Sequence, residues 1–141
     1  MLDKIDHQII EILLEDSRIS NVEIAQKIKR SESTVRQRLS KLIQKGIIKK
    51  FTVVINPLTY GFNTIAYVGI KVEPEKLLKV VKSLKKLEDI VSLSTTTGDY
   101  MIICEIWAED GVHLGDIIDK IEAIEGVISV LPSIIQERHK E

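Results

Sequence analysis

Apolar positions recur at helical spacing through the first forty-five residues and then turn to alternation along most of the remainder. Ile5, Ile9, Ile12 and Leu13, with Leu2 ahead of them, predict a first helix from about Asp3 to Glu15. Ser20 and Glu23 in "SNVE" fit a capping box, in which the hydroxyl takes an orphan N–H and the carboxylate reaches back. The short helix it opens is expected to turn Val22, Ala25 and Ile28 inward. Ser31 can cap a third helix running to about Lys45, with Gly46 closing it in a left-handed turn. Three helices, the last two separated by a short turn, are the helix-turn-helix plan. After Gly46, "IIKKFTVVINP" is β-branched and aromatic and reads as one strand, with no second strand nearby. An unpaired edge needs a partner, and the same strand of another copy is the cheapest one, which predicts a dimer.

Pro57 and Gly61 punctuate "NPLTYGFN", where charges vanish, and this stretch reads as a linker. Beyond it lies an internal repeat: "KKLEDIVSL" (Lys85–Leu93) aligns with "EAIEGVISV" (Glu122–Val130) at an offset of 37. Each unit reads as strand, helix, strand. "TIAYVGIKV" leads into a helix with Leu77, Val80, Val81, Leu84 and Leu87 inward, followed by "IVSLSTTT". "YMIICEIWA" leads into a helix with Leu114, Ile117, Ile118, Ile121 and Ile124 inward, followed by "VISVLPSIIQ". The order βαββαβ predicts a four-stranded antiparallel sheet with two helices on one face. Tyr67, Gly69 and Lys71 alternate with Ala66, Val68 and Ile70, while Ile103 and Trp107 alternate with Cys104 and Ile106. Both faces are substantially apolar, so the second is expected to be covered, most simply by another subunit. The fold class is therefore α+β: a helix-turn-helix (winged-helix-like) domain with its connecting strand over 1–55, a linker over 56–62, and a βαββαβ ferredoxin-like domain over 63–141.

Composition narrows the function. With 44% hydrophobic and 29% charged residues in 141, the chain reads as globular. Apolar runs such as Met101–Cys104 fall far short of the roughly 20 residues a membrane span requires. "MLDKIDHQII" has no signal-peptide pattern, and a single cysteine, Cys104, forms no internal disulfide; the cytoplasm is the expected compartment. The net charge of −1 conceals a division, +4 over residues 1–62 and −5 over 63–141. Lys27 to Lys50 holds nine Lys or Arg residues and one acid, Glu32.

On the third helix, Val35, Leu39 and Leu42 form the inward stripe, and Gln37 and Lys41 fall almost opposite it. Ser33, Thr34, Ser40 and Gln44 share the outer face, flanked by Arg36 and Arg38. A solvated helix face usually alternates signs, because Glu and Lys at i,i+4 support one another; this one does not. Lys and Arg at the rim would attract phosphates, and Arg, Gln, Ser and Thr near the start of the helix would read base edges in the major groove. The expected DNA-binding residues are Lys29, Arg30, Ser33, Thr34, Arg36, Gln37, Arg38, Lys41, Lys49 and Lys50. Glu32 in the first turn suits the helix dipole and repels phosphate; accepting from a cytosine N4 is the lesser alternative.

Nothing points to catalysis. Cys104 in mid-strand reads as a small core residue, and His7, His113 and His139 are scattered as surface residues without metal-ligand spacing. Lys76, Lys79, Lys82, Lys85 and Lys86 line the polar side of their helix. Walker, GxSxG and dinucleotide motifs are absent, so neither cofactor nor metal is expected. One hairpin stands out: "STTTGDYM" (Ser94–Met101) gathers hydroxyls, backbone N–H groups and a carboxylate at a tip. It reads equally well as an ordinary turn with Gly98 at positive φ, or as a site for a small zwitterion.

Taken together, "LDKIDHQIIEILLEDSRIS", "EIAQKI…S…TVRQRLSKLIQKGII", "INPLTYGF" and "TTTGDYM" resemble the Lrp/AsnC (feast/famine) family of transcriptional regulators across essentially the whole chain. The resemblance implies a regulator of double-stranded DNA built from homodimers that assemble into tetramers or octamers. It also implies an amino-acid effector between dimers, near Thr95, Thr96, Thr97, Gly98, Asp99 and Tyr100, with Ser133 on the last strand nearby. Two positions depart from the family: Ile28-Lys29-Arg30-Ser31 stands where Leu-Gly-aliphatic-Ser is usual, and Met101 replaces an Asp. Two alternatives remain beside the regulator. One is an effector-independent, architectural, chromatin-like DNA-binding protein. The other is an RNA-recognition module, for which "DYMIICEIW" lacks the basic-Gly-aromatic run.

Overall fold

The computed structural model describes residues 1–141 and divides into two compact units, Met1–Val54 and Ile55–Glu141. In the first unit, α1 (Lys4–Glu15), α2 (Asn21–Ile28) and α3 (Glu32–Gln44) close on a core of Ile9, Ile24, Ala25, Val35 and Leu42. Leu2, Ile5, Ile12, Leu13, Ile28 and Ile48 pack around it. Ser20 and Ser31 cap α2 and α3 by accepting the N–H groups of Glu23 and Thr34. The reciprocal box forms at α1 instead, where Asp3 and Asp6 each accept the other's backbone N–H. Ile24 rather than Val22 is the inward residue of α2, and Val22 remains 54% exposed. Val22 and Ile24 stand two positions and about 200° apart around the helix, so only one of them can join Ala25 and Ile28 on the inner side.

The turn between α2 and α3 is made by Lys29 at φ 56°, the only non-glycine residue with positive φ. Gly46 follows α3 at φ 72°, as its place after the helix predicts. Beyond it, the expected strand over Ile47–Pro57 does not form. A strand is defined by its ladder, and nothing in the chain pairs with this stretch, so Phe51, Val53 and Val54 stand exposed.

The second unit opens with a helical turn, α4 (Pro57–Tyr60), where a plain linker was expected. Asn56 caps it through the Leu58 N–H, Pro57 presets its φ, and Gly61 ends it at φ 117°. The βαββαβ module follows as β1 (Thr64–Val72), a 3-10 turn (Pro74–Lys76), α5 (Leu77–Leu84), β2 (Ile90–Thr95), β3 (Ile102–Ala108), α6 (Gly111–Glu122) and β4 (Val127–Ile134). The sheet order is β2-β3-β1-β4, antiparallel throughout. Alternation sends Ala66, Val68, Ile70, Val72, Ile102, Cys104 and Ile106 against Val80, Leu84, Leu114, Ile117 and Ile121 of the two helices.

The other face of the sheet carries Tyr67, Gly69 and Lys71 between Ile103, Glu105 and Trp107 on one side and Ser129, Leu131 and Ser133 on the other. The chain's own tail meets part of it. The Ile135 N–H extends the β4–β1 ladder by donating to the Ile65 carbonyl, and beyond it the Arg138 guanidinium donates to the Tyr67 hydroxyl at 3.1 Å and to Glu105 at 2.9 Å.

Candidate nucleic-acid interface and ligand hairpin

The sequence places Ser33, Thr34, Gln37, Ser40, Lys41 and Gln44 on one side of α3, flanked by Arg36 and Arg38, and the fold leaves most of that side open. Val35 and Leu42 anchor the opposite side in the core. Lys29, Arg30, Ser33, Arg36, Gln37, Lys41, Lys49 and Lys50 are exposed, whereas Thr34 and Arg38 are half-buried. The Ser31 hydroxyl lies 3.1 Å from that of Ser33 and 2.8 Å from that of Thr34, forming a chain of donor-acceptor groups over the helix start. Lys49 and Lys50 follow the helix, beside a groove lined by Leu13, Leu14 and Phe51.

Two of the arginines are engaged. Arg36 Nη1 donates to both oxygens of Glu32, at 2.9 and 2.8 Å, one helical turn back. Arg38 pairs with Asp3, and with Asp6 at 3.3 Å, tying α3 to the N-terminus of α1. The Arg38 guanidinium, with the Asp6 N–H, lowers the Asp3 carboxyl from 3.8 to about 2, and the same contacts raise Arg38 above its ordinary value. These aspartates are far from Arg38 in sequence, and no local pattern signals the pairing. The face is thus basic and hydroxyl-rich, able to attract phosphate and to present Arg, Gln, Ser and Thr to base edges.

The hairpin between β2 and β3 has its own internal bracing. Thr95 ends β2. The Thr96 hydroxyl donates to the Tyr100 carbonyl and accepts the Gly98 N–H at 3.3 Å, while the Thr96 N–H donates to the Met101 carbonyl at 2.8 Å. Gly98 does not take positive φ as expected; Thr96 shapes the turn instead. Thr97, Gly98 and Asp99 are exposed, and the N–H groups of Thr97, Asp99 and Tyr100 have no protein partner.

Tyr100 leaves the tip altogether. Its ring lies on Gly69 of β1, where an added Cβ would come within 2.7 Å of it, and the Lys71 ammonium stands 5.6 Å from its centroid. Met101 packs against the sheet core. Ser133 is not brought to this hairpin within the chain. It pairs with Tyr67 from one side of β1, whereas the hairpin joins the sheet at Ile102, opposite Ile70 on the other side, an offset of three positions or about 10 Å along β1 as well as two strand spacings across it. Ser133 instead lines a groove with Tyr67, Gln136 and Glu137.

The remaining candidates stay structural. Cys104 is buried, which pushes its thiol up to about 11, the behaviour of a core residue. His113 is less superficial than its scattered position suggests: Nδ1 accepts the Glu109 N–H at 3.1 Å and Nε2 lies 3.5 Å from Asp89. Lys76 also departs from a purely solvated role, pairing with Glu125 beside Gly126, while Lys79, Lys82, Lys85 and Lys86 are exposed. No group of three or more His, Cys, Asp or Glu residues is arranged to hold a metal. No helix is long and apolar enough to cross a membrane.

Comparison with known proteins agrees with these two units. A family described as winged helix-turn-helix DNA-binding matches residues 2–49, and one described as Lrp/AsnC ligand binding domain matches residues 65–141. The chain is similar to the HTH-type transcriptional regulator LrpA of Pyrococcus horikoshii, 44% identical over 99% of this chain and 100% of that one. It is similar also to the HTH-type transcriptional regulator FL11 of Pyrococcus furiosus, at 38% over 100% of this chain and 93% of that one. Among solved structures, Bacillus subtilis LrpC superposes with a TM-score of 0.89 at 27% identity, covering 99% of this chain and 98% of that one.

Proposed function

The chain belongs to the Lrp/AsnC family of transcriptional regulators, and from that premise we propose that it reads double-stranded DNA with α3 as a homodimer tuned by an amino acid. The coarser statement needs no proposal: this is a DNA-binding helix-turn-helix regulator and not an enzyme. The carrying observation for the finer one is the open face of α3, where Ser33, Thr34, Arg36 and Gln37 project between flanking cations. In this reading Arg36, Gln37, Ser33 and Thr34 contact base edges, and Lys29, Arg30, Lys41, Lys49 and Lys50 contact phosphates. Arg38 orients the helix through Asp3 and Asp6.

The effector part rests on the hairpin. Unpartnered N–H groups at Thr97 and Asp99, with the hydroxyls of Thr95 and Thr97, suit a carboxylate, and the Asp99 carboxylate suits an ammonium. Ser133 would reach such a ligand from a second copy, which is where dimers joined into tetramers or octamers enter. An amino acid bound between dimers shifts assembly only if it binds one assembly better than another. The cytoplasm is the compartment in which such a regulator would meet DNA.

The test is calorimetric titration with each of the twenty amino acids, with light scattering alongside. One or a few saturating ligands that change particle mass are the expected result. Heat from none of them, at constant mass, would remove the effector. It would leave the architectural reading, which the core-packed Met101 favours at the position where the family has a carboxylate.

A further inference from the structure

We propose that Glu32 is a specificity-determining residue that acts through Arg36, holding its guanidinium so that the free fork faces a guanine. The inference rests on the reading of α3 as the recognition helix. Glu32 is the only acid between Lys27 and Lys50, on a surface otherwise suited to a polyanion. Its carboxylate takes both of its bonds from one nitrogen, Nη1, at 2.9 and 2.8 Å. Nε and Nη2 of Arg36 make no hydrogen bond within the chain, so two parallel N–H donors remain on one edge. That edge matches the O6 and N7 acceptors guanine shows in the major groove.

Stability does not account for the pair. The side chains of Arg36 and Glu32 are 61% and 38% exposed, and an exposed i,i+4 ion pair changes a folding equilibrium by a factor of about two. For phosphate attraction the carboxylate is a cost, because it cancels one cation at the interface. What it supplies is restraint. A free arginine at this position would swing to whichever phosphate is near and bind all sequences alike. An arginine pinned by Nη1 gains its bonds only where a base offers two acceptors. At other sequences the pair is desolvated without compensation, and the carboxylate repels the backbone. Glu32 therefore lowers general affinity and raises discrimination.

The experiment is selection of duplexes from a random library by the full chain, with wild type, Glu32→Gln and Arg36→Ala compared on the selected and unselected DNA. Wild type should select a guanine whose replacement by adenine weakens binding about tenfold, the scale of one lost bidentate contact. In Glu32→Gln that penalty should fall below about threefold. Affinity for unselected duplex should rise, and its log–log salt dependence should steepen by about one as Arg36 turns to phosphate. A merely structural role for Glu32 would shift selected and unselected DNA by one common factor, with base preference intact; that result overturns the proposal. If Arg36→Ala loses the preference and Glu32→Gln keeps it, only the role of Glu32 falls. If Arg36→Ala keeps it, the assignment of the recognition face is wrong and the role of Glu32 falls with it.

Discussion

Lys29 occupies the one left-handed position that a side chain must tolerate. At φ 56° its Cβ crowds the following carbonyl, a conformation costing about 1 kcal/mol or more for any residue but glycine. Glycine loses part of that gain to its freer unfolded chain. Lys29→Gly is expected to stabilise the first unit by about 0.5–1 kcal/mol, read as a higher urea midpoint with unchanged slope. On the proposed assignment of Lys29 to phosphate, it should also weaken binding to all duplexes evenly. The lysine at a glycine position thus trades backbone ease for charge beside the helix start. Gly69 poses the opposite constraint. Its backbone is ordinary, but a Cβ would meet the Tyr100 ring at 2.7 Å, at atoms near the root of that side chain. Gly69→Ala should cost about 1–3 kcal/mol as the ring and hairpin are displaced, and the Tyr100 ring resonances in NMR should move toward exposed values.

At the scale of elements, ion pairs from Arg38 to Asp3 and Asp6 join α3 to the start of α1, and acid is the way to test them. The Asp3 carboxyl is lowered from 3.8 to about 2, so its contribution is present above pH 4 and is lost as pH falls through 2. Asp3→Asn keeps a cap on α1, because asparagine accepts the Asp6 N–H as well as aspartate does, and it removes the charge together with the second oxygen that accepts from Arg38. The variant should be less stable than wild type at neutral pH, with the gap closing between pH 4 and 2. A gap that persists at pH 2 would mean the loss comes from capping, not from Arg38. These pairs also mark where sequence reading ends. Helices and inner strands were legible because their apolar periods are local: Val80, Leu84, Ile117 and Ile121 face inward as spacing requires. Arg38 with Asp3, Tyr100 on Gly69 and Arg138 with Glu105 join residues far apart in the chain, and no periodicity encodes them. The segment Ile47–Pro57 failed as a strand for the converse reason. Its β propensity is real, but a strand also needs a second one to pair with.

For the whole molecule, that unpaired segment is the most direct handle on assembly. Phe51, Val53 and Val54 stand exposed within four residues of one another, and the proposed reading of two half-sites one helical turn apart would need two copies. If the same segment of two copies pairs antiparallel, adjacent N–H groups point to opposite edges, so one of any two neighbours faces the partner. Thr52→Pro and Val53→Pro, made separately, therefore probe both edges. Proline removes the donor and leaves a segment that has no ladder within its own chain. One of the two should lower the scattering mass from an even multiple of 16.0 kDa toward 16.0 kDa itself, with circular dichroism of the helices unchanged. That variant should also bind a two-half-site duplex no better than a single half-site, because the link between the two readers is gone. If both variants keep the mass of wild type, association runs through the outer face of the sheet. Tyr67, Ile103 and Leu131 there would then be the next residues to change.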